Sequence, residues 1–239
     1  MGKWNGREIG MYGLKAEQNF VAYADFFREK IGTHGQAAVL ETYLPALVKG
    51  LAGDFFHAVI ELGYYFESNE PILLQQGLAW LATSHVVLPG ANQRVENKYS
   101  LPTEALSALS RVEGVFPRFD DDDGSSGYIA DVELLVGDSA CSQQILEHDI
   151  DFDSMNEVEL DVRLLDMLGA ARDSFAAGGC VDFYTLHSLT ASRAVWAILA
   201  SLSAEAAAGV RAAEDTGGCY SAPWVVDVKR TALSAFWRA

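Results

Sequence analysis

The sequence predicts an all-α protein, a single irregular bundle of about seven or eight helices over residues 1–239, interrupted by a long acidic, loop-rich region at about 89–155. Apolar residues recur every three to four positions through most of the chain, and the alternation typical of strands is nearly absent. Prolines at 89, 102 and 117 and the run DDDDGSSG at 120–127 fall together in one stretch. With 50% apolar residues and 21% charged, the chain can bury a core rather than remain disordered.

Each element has its own signal. NFVAYADFFREKI, residues 19–31, carries an apolar stripe of helical period. A second helix spans about 36–48, and Pro45 is expected to end or kink it because proline lacks the backbone donor. A third is expected from Asp54, a good N-cap, to about Glu67, and a fourth from Pro71 to about residue 86. One short helix is expected at 102–110 inside the loop-rich region. Helical periodicity returns at about 156–175, 181–201, 203–214 and 223–237. The 181–201 helix is apolar nearly all round and is expected to be central and buried.

Charge and cysteine usage narrow the function classes. Lys plus Arg number 17 against 33 Asp plus Glu, a net charge of −16, which argues against a nucleic-acid partner bound through its phosphates. Cys141, Cys180 and Cys219 fit neither a disulfide framework nor a zinc spacing, and read as free thiols. No secretory signal and no run of about 18 uncharged apolar residues is visible, so the expectation is a cytoplasmic protein without membrane association. With Gly124 as the loop glycine, DDDDGSSG puts Phe119 and Ala130 at the first and last ligand positions of a calcium loop, and DIDFDSMNEVEL has Ser154 and Leu160 where glycine and glutamate are required, so both read as solvated acid. No phosphate loop or dinucleotide fingerprint occurs.

GDFFHAVIELGYYFE, residues 53–67, is the stretch with chemistry in it. On a helical wheel Glu61 and Tyr64 fall within about 40° of His57, while Phe55, Val59, Leu62 and Phe66 gather on the far side. Such a face could be a surface pair or part of a site. His187 stands in CVDFYTLHSLTASRAVWAILASL among small neighbours, Ala191 and Ala194, which leave space over its ring. Space beside a buried imidazole suits a ligand or metal pocket, and the competing reading is a core histidine satisfied by one hydrogen bond.

FVAYADFFREKI, GQAAVLETYLPALVKGLAGDFFHAVIELGYYFESNE, GLAWLATSHVVLP and VDFYTLHSLTASRAVWAIL, in this order and spacing, resemble the questin oxidase-like family over roughly residues 18–90 and 158–202. The resemblance implies an all-α oxidoreductase that uses O₂ to oxidise or open the ring of a polycyclic, anthraquinone-like aromatic in secondary metabolism. It also implies NADPH as a possible reductant, and a non-haem iron held by several histidines and a lysine. The family writes His, three residues and a second His before Leu-Gly-Tyr. His57 matches the first, and Glu61 replaces the second. Phe183, His187 and Thr190 keep the family's later segment, while Lys229 is a weak match to its lysine and Val226 stands where a histidine would be.

His57, Glu61 and His187 are thus the expected catalytic residues and the ligands of a possible Fe(II) site with two histidines and one carboxylate. Tyr64, Tyr65, Phe183, Tyr184 and Thr190 are the expected contacts to a small aromatic substrate. The arrangement requires the helices of His57 and His187 to pack together. The alternative is a shortened, non-catalytic relative that binds an apolar ligand or a protein partner. Oligomeric state has no sequence signal.

Because residues 113–153 offer few apolar positions of helical period, deleting Asp120–Gly127 is expected to leave the fold intact. Thermal unfolding followed by circular dichroism should shift by no more than about 2 °C.

Overall fold

A computed structural model describes residues 14–88, 99–112, 139–177, 179, 183–214 and 223–238. They form nine helices and no strand, which bears out the all-α expectation. The helices are α1 (Leu14–His34), α2 (Gln36–Leu47), α3 (His57–Ser68), α4 (Pro71–Thr83), α5 (Pro102–Leu109), α6 (Ser139–Glu147), α7 (Glu157–Ala177), α8 (Phe183–Glu214) and α9 (Pro223–Arg238).

Local chemistry sets these boundaries. Gly35, with φ 82°, turns the chain between α1 and α2 in a conformation that would strain any larger residue. Pro45 does not end α2, which runs to Leu47, because one lost backbone bond near the C-terminus is outweighed by burying Leu44 and Leu47. Asn69 closes α3 in the left-handed region, and its N–H donates to the Tyr65 carbonyl at 2.7 Å. Pro71 then opens α4, where its missing donor costs nothing. The two helices expected at 181–201 and 203–214 are one, since the Ser203 hydroxyl donates back to the Leu199 carbonyl and the ladder continues.

Asp54 is not the N-cap of α3. The helix begins three residues later, after a left-handed turn at Asp54, Phe55 and Phe56. The stretch read as loop and solvated acid also holds more structure than expected. It contains α6, and the following DIDFD run buries Asp149, Ile150 and Phe152, with the Asp149 carboxylate accepting the Ile150 N–H at 2.9 Å. Apolar residues two apart, flanked by acids, gave no helical period and so no signal of docking. The run at 120–127 lies outside the described residues.

The core is a cluster built mainly from leucines of α2, α3 and α4, joined by Leu160 and Leu164 of α7, Val195 and Leu202 of α8, and Val228 and Leu233 of α9. α3 sits between α4 and α8. Two glycines allow this. A Cβ on Gly63 would come within 2.7 Å of the Ala194 Cβ on α8, and one on Gly77 of α4 within 3.0 Å of Leu62. α8 is not buried all round, because Trp196 and Arg193 face solvent, where Arg193 pairs with Glu67 at 3.0 Å. No helix among the described residues is long and apolar enough to cross a membrane.

His85, just after α4, lies against the bare backbone of Gly50, with Nε2 3.4 Å from the Ala46 carbonyl oxygen. Burial lowers its pKa from 6.5; the contact to Ala46 partly offsets this, and Lys49 lowers it further. Above 6.5 the ring is neutral folded and unfolded. As pH falls below 6.5 the unfolded chain takes up this proton first, so stability is lost down to the depressed folded value. The melting temperature should therefore fall less steeply between pH 7 and 5 in His85→Gln, which keeps a donor for Ala46 and cannot charge.

Candidate functional site

The site is built where α3 begins. At Gly53 the chain passes so close to the Ser84 carbonyl that a Cβ would lie 1.6 Å from its oxygen. The next three residues are all left-handed, with φ 50° at Asp54, 54° at Phe55 and 65° at Phe56. Each such non-glycine residue costs roughly 1–2 kcal/mol. Three contacts oppose the strain. Asp54 Oδ2 accepts the Trp80 indole N–H at 2.8 Å, Phe56 meets Phe236 edge-on at 5.5 Å between centroids, and Phe55 lies 5.6 Å from the His187 ring. The turn redirects Phe55, which a continuous helix would put on the opposite face from His57.

The turn delivers His57 as the first residue of α3, facing His187 on the first turns of α8. The two Nε2 atoms are 3.2 Å apart, with the rings perpendicular and their centroids 5.0 Å apart. Trp80 stacks on the other side of His57 at 5.7 Å with 23° between planes. Asp54 Oδ2 stands 3.9 Å from His57 Nδ1. The His57 side chain stays 39% exposed and that of Asp54 35%, so molecules in solvent reach the pair.

Two imidazole nitrogens at this distance attract only if one carries a hydrogen and the other a lone pair. Two imidazoles and a carboxylate so placed, among aromatic rings, have the groups needed to exchange protons with a bound molecule.

The other expected site residues are distributed around it. Glu61 is half-buried one turn along α3, and Tyr64 is 47% exposed. Tyr65 is buried and donates its hydroxyl to Gln36 Oε1 at 2.7 Å, which gives it a packing role between α3 and α2. The Thr190 hydroxyl bonds back to its own helix, at the Leu186 and His187 carbonyls. Phe183 and Tyr184 belong to α8, but their side chains lie outside the described residues. Lys229 is 1% exposed between α9 and α7, and its ammonium is held by Glu157 at 3.1 Å and Asp161 at 2.6 Å. These two ion pairs give Lys229 a packing role between α9 and α7.

Asp54, Phe55 and Trp80 were not singled out by the sequence. Asp54 looked like a helix cap, and nothing in the residue types DFF signals a left-handed turn. The one hint is Gly53 before them.

A family model described as questin oxidase-like matches residues 9–226, most of the chain. The chain belongs to the questin oxidase-like family. No curated protein matches it. Membership supports an oxidoreductase-type function in the broad sense. For the iron implied by the family likeness, the described residues supply two convergent imidazole nitrogens, spaced as two ligands of one ion would be. Among them no three His, Cys, Asp or Glu side chains are grouped as a metal ion requires. Glu61 does not complete such a group.

Proposed function

We propose that this questin oxidase-like protein is an O₂-dependent oxidoreductase acting on a hydroxylated polycyclic aromatic of the anthraquinone type, with His57 and His187 handling the proton. The observation that carries the reading is the 3.2 Å contact between their Nε2 atoms beside a carboxylate. A phenol gives up electrons to O₂ far more readily once it has lost its proton. The pair takes that proton from the hydroxyl, and its positive charge settles beside Asp54. The phenolate ring is then oxidised. If ring opening places both oxygen atoms in the product, no further reductant is needed. If one oxygen atom is inserted, two electrons from NADPH reduce the other to water.

A cavity of about 250 Å³ is lined by chain neighbours of the two histidines, though by neither histidine itself. It is bounded by Phe56, the residue before His57, and by Thr185 and Ser188, which straddle His187 in the chain. Phe236, Trp237 and Met167 supply apolar walls. A cavity of roughly 150 Å³ accommodates benzene, so this one has room for the edge of a fused ring system.

Oxygen uptake on adding a hydroxyanthraquinone, with and without NADPH, tests the reading. His187→Ala and His57→Ala should each lower the rate about 10²- to 10³-fold. Unchanged uptake in both variants would remove the pair from the reaction. Protein reconstituted anaerobically with Fe(II) should hold far less than one iron per chain by elemental analysis. Near-stoichiometric iron that is lost in His187→Ala would instead make the imidazoles ligands. Binding of the aromatic without oxygen uptake would identify a non-catalytic relative.

A further inference from the structure

We infer that Asp54 and Trp80 form a cradle that fixes the ring of His57 with its hydrogen on Nδ1, so that Asp54 is a positioning residue for the histidine pair. The inference deepens the proton-handling role proposed above and rests on it for its catalytic meaning, though not for its geometry.

Three observations converge. Asp54 Oδ2 accepts the Trp80 Nε1–H at 2.8 Å, which anchors a carboxylate that would otherwise swing freely in a partly exposed turn. The same oxygen lies 3.9 Å from His57 Nδ1, within ion-pair reach though beyond a direct hydrogen bond. The indole that anchors the carboxylate also stacks on the His57 ring, at 5.7 Å and 23°. One indole thus sets both the position of the charge and the plane of the imidazole. A negative charge on that side favours the tautomer with hydrogen on Nδ1. His57 Nε2 then presents a lone pair to His187, whose Nε2–H completes the 3.2 Å contact.

The backbone points the same way. Asp54 reaches both Trp80 and His57 from a left-handed residue, φ 50° and ψ 53°, the first of three in succession. An ordinary helical start at Asp54 would direct its side chain to the backbone N–H groups of its own first turn. The chain gives up that cap and adopts a strained turn, with the carboxylate beside His57. Strain of this kind gathers where a side chain must be held for function.

The test reads the tautomer directly. In full-length protein labelled with ¹⁵N-histidine, His57 is assigned by comparison with His57→Ala, and its neutral form should carry hydrogen on Nδ1. Asp54→Asn keeps an oxygen acceptor for Trp80 and removes the charge, and asparagine tolerates positive φ well, so the turn should survive. In this variant the His57 population should shift toward hydrogen on Nε2, with kcat for hydroxyanthraquinone oxidation about 10- to 100-fold lower and KM within about two-fold. Trp80→Phe, which keeps a ring beneath His57 but no N–H, should shift the tautomer in the same direction.

Hydrogen on Nε2 in the unaltered protein, or a tautomer unmoved by Asp54→Asn, would overturn the inference whatever happens to the rate. A tautomer that moves as described, in a protein whose oxygen uptake survives loss of both histidines, would uphold the positioning and sink the proposed reaction instead.

Discussion

The close approach of α3 to α8 at Gly63 and Ala194 is the contact on which the site depends. With no side chain at one position and a methyl at the other, the helices pack nearly backbone to backbone, and a Cβ on Gly63 would need about an ångström of retreat. Gly77 does the same for α4 against Leu62. α3 is therefore clamped from two sides, and its first residue has little freedom. His57 and His187 are 130 residues apart in sequence, and hydrogen-bond distance between them follows from a helix spacing that only small residues permit.

The left-handed turn supplies what helix packing cannot. A helix continued back from His57 would send Asp54 and Phe55 along its own surface. The turn brings Asp54 to Trp80 and Phe55 to His187. Its cost, of the order of 1–2 kcal/mol for each of three residues, is comparable to the aromatic contacts and the carboxylate hydrogen bond it makes possible. Strain is offset locally, by the same side chains that shape the site. The ion pairs of Lys229 do separate work, tying α9 to α7 around one buried charge.

The helices were legible in the sequence because their apolar positions repeat with helical period over more than ten residues, and because Gly35, Asn69 and Pro71 punctuate them with specific backbone chemistry. His57 and His187 were legible as types in unusual surroundings and through the family likeness. Three things were not. The turn at Asp54–Phe56 uses residues that disfavour it, so local propensity argued for a cap and a continuous helix. The docking of Ile150 and Phe152 depends on two apolar residues within an acidic run, too few to carry a period. Trp80 sat on an ordinary α4 stripe, and its role comes from what α3 places above it.

The exchange of histidine for glutamate at position 61 then takes on a physical meaning. The resemblance led to the expectation that Glu61 would act as the carboxylate of a three-ligand group, one helical turn after His57. In the structure the carboxylate that meets His57 comes from the other direction along the chain, from Asp54, and it faces Nδ1 rather than the nitrogen directed at His187. A carboxylate on the convergent side would add a ligand. On the opposite side it orients the ring and favours hydrogen on Nδ1, as an outer carboxylate does for a histidine that binds through its other nitrogen. The same residue types, a carboxylate and two histidines, thus meet with the carboxylate behind one ring rather than between the two. In this chain the left-handed turn sets that arrangement, by carrying Asp54 to the Nδ1 side of His57.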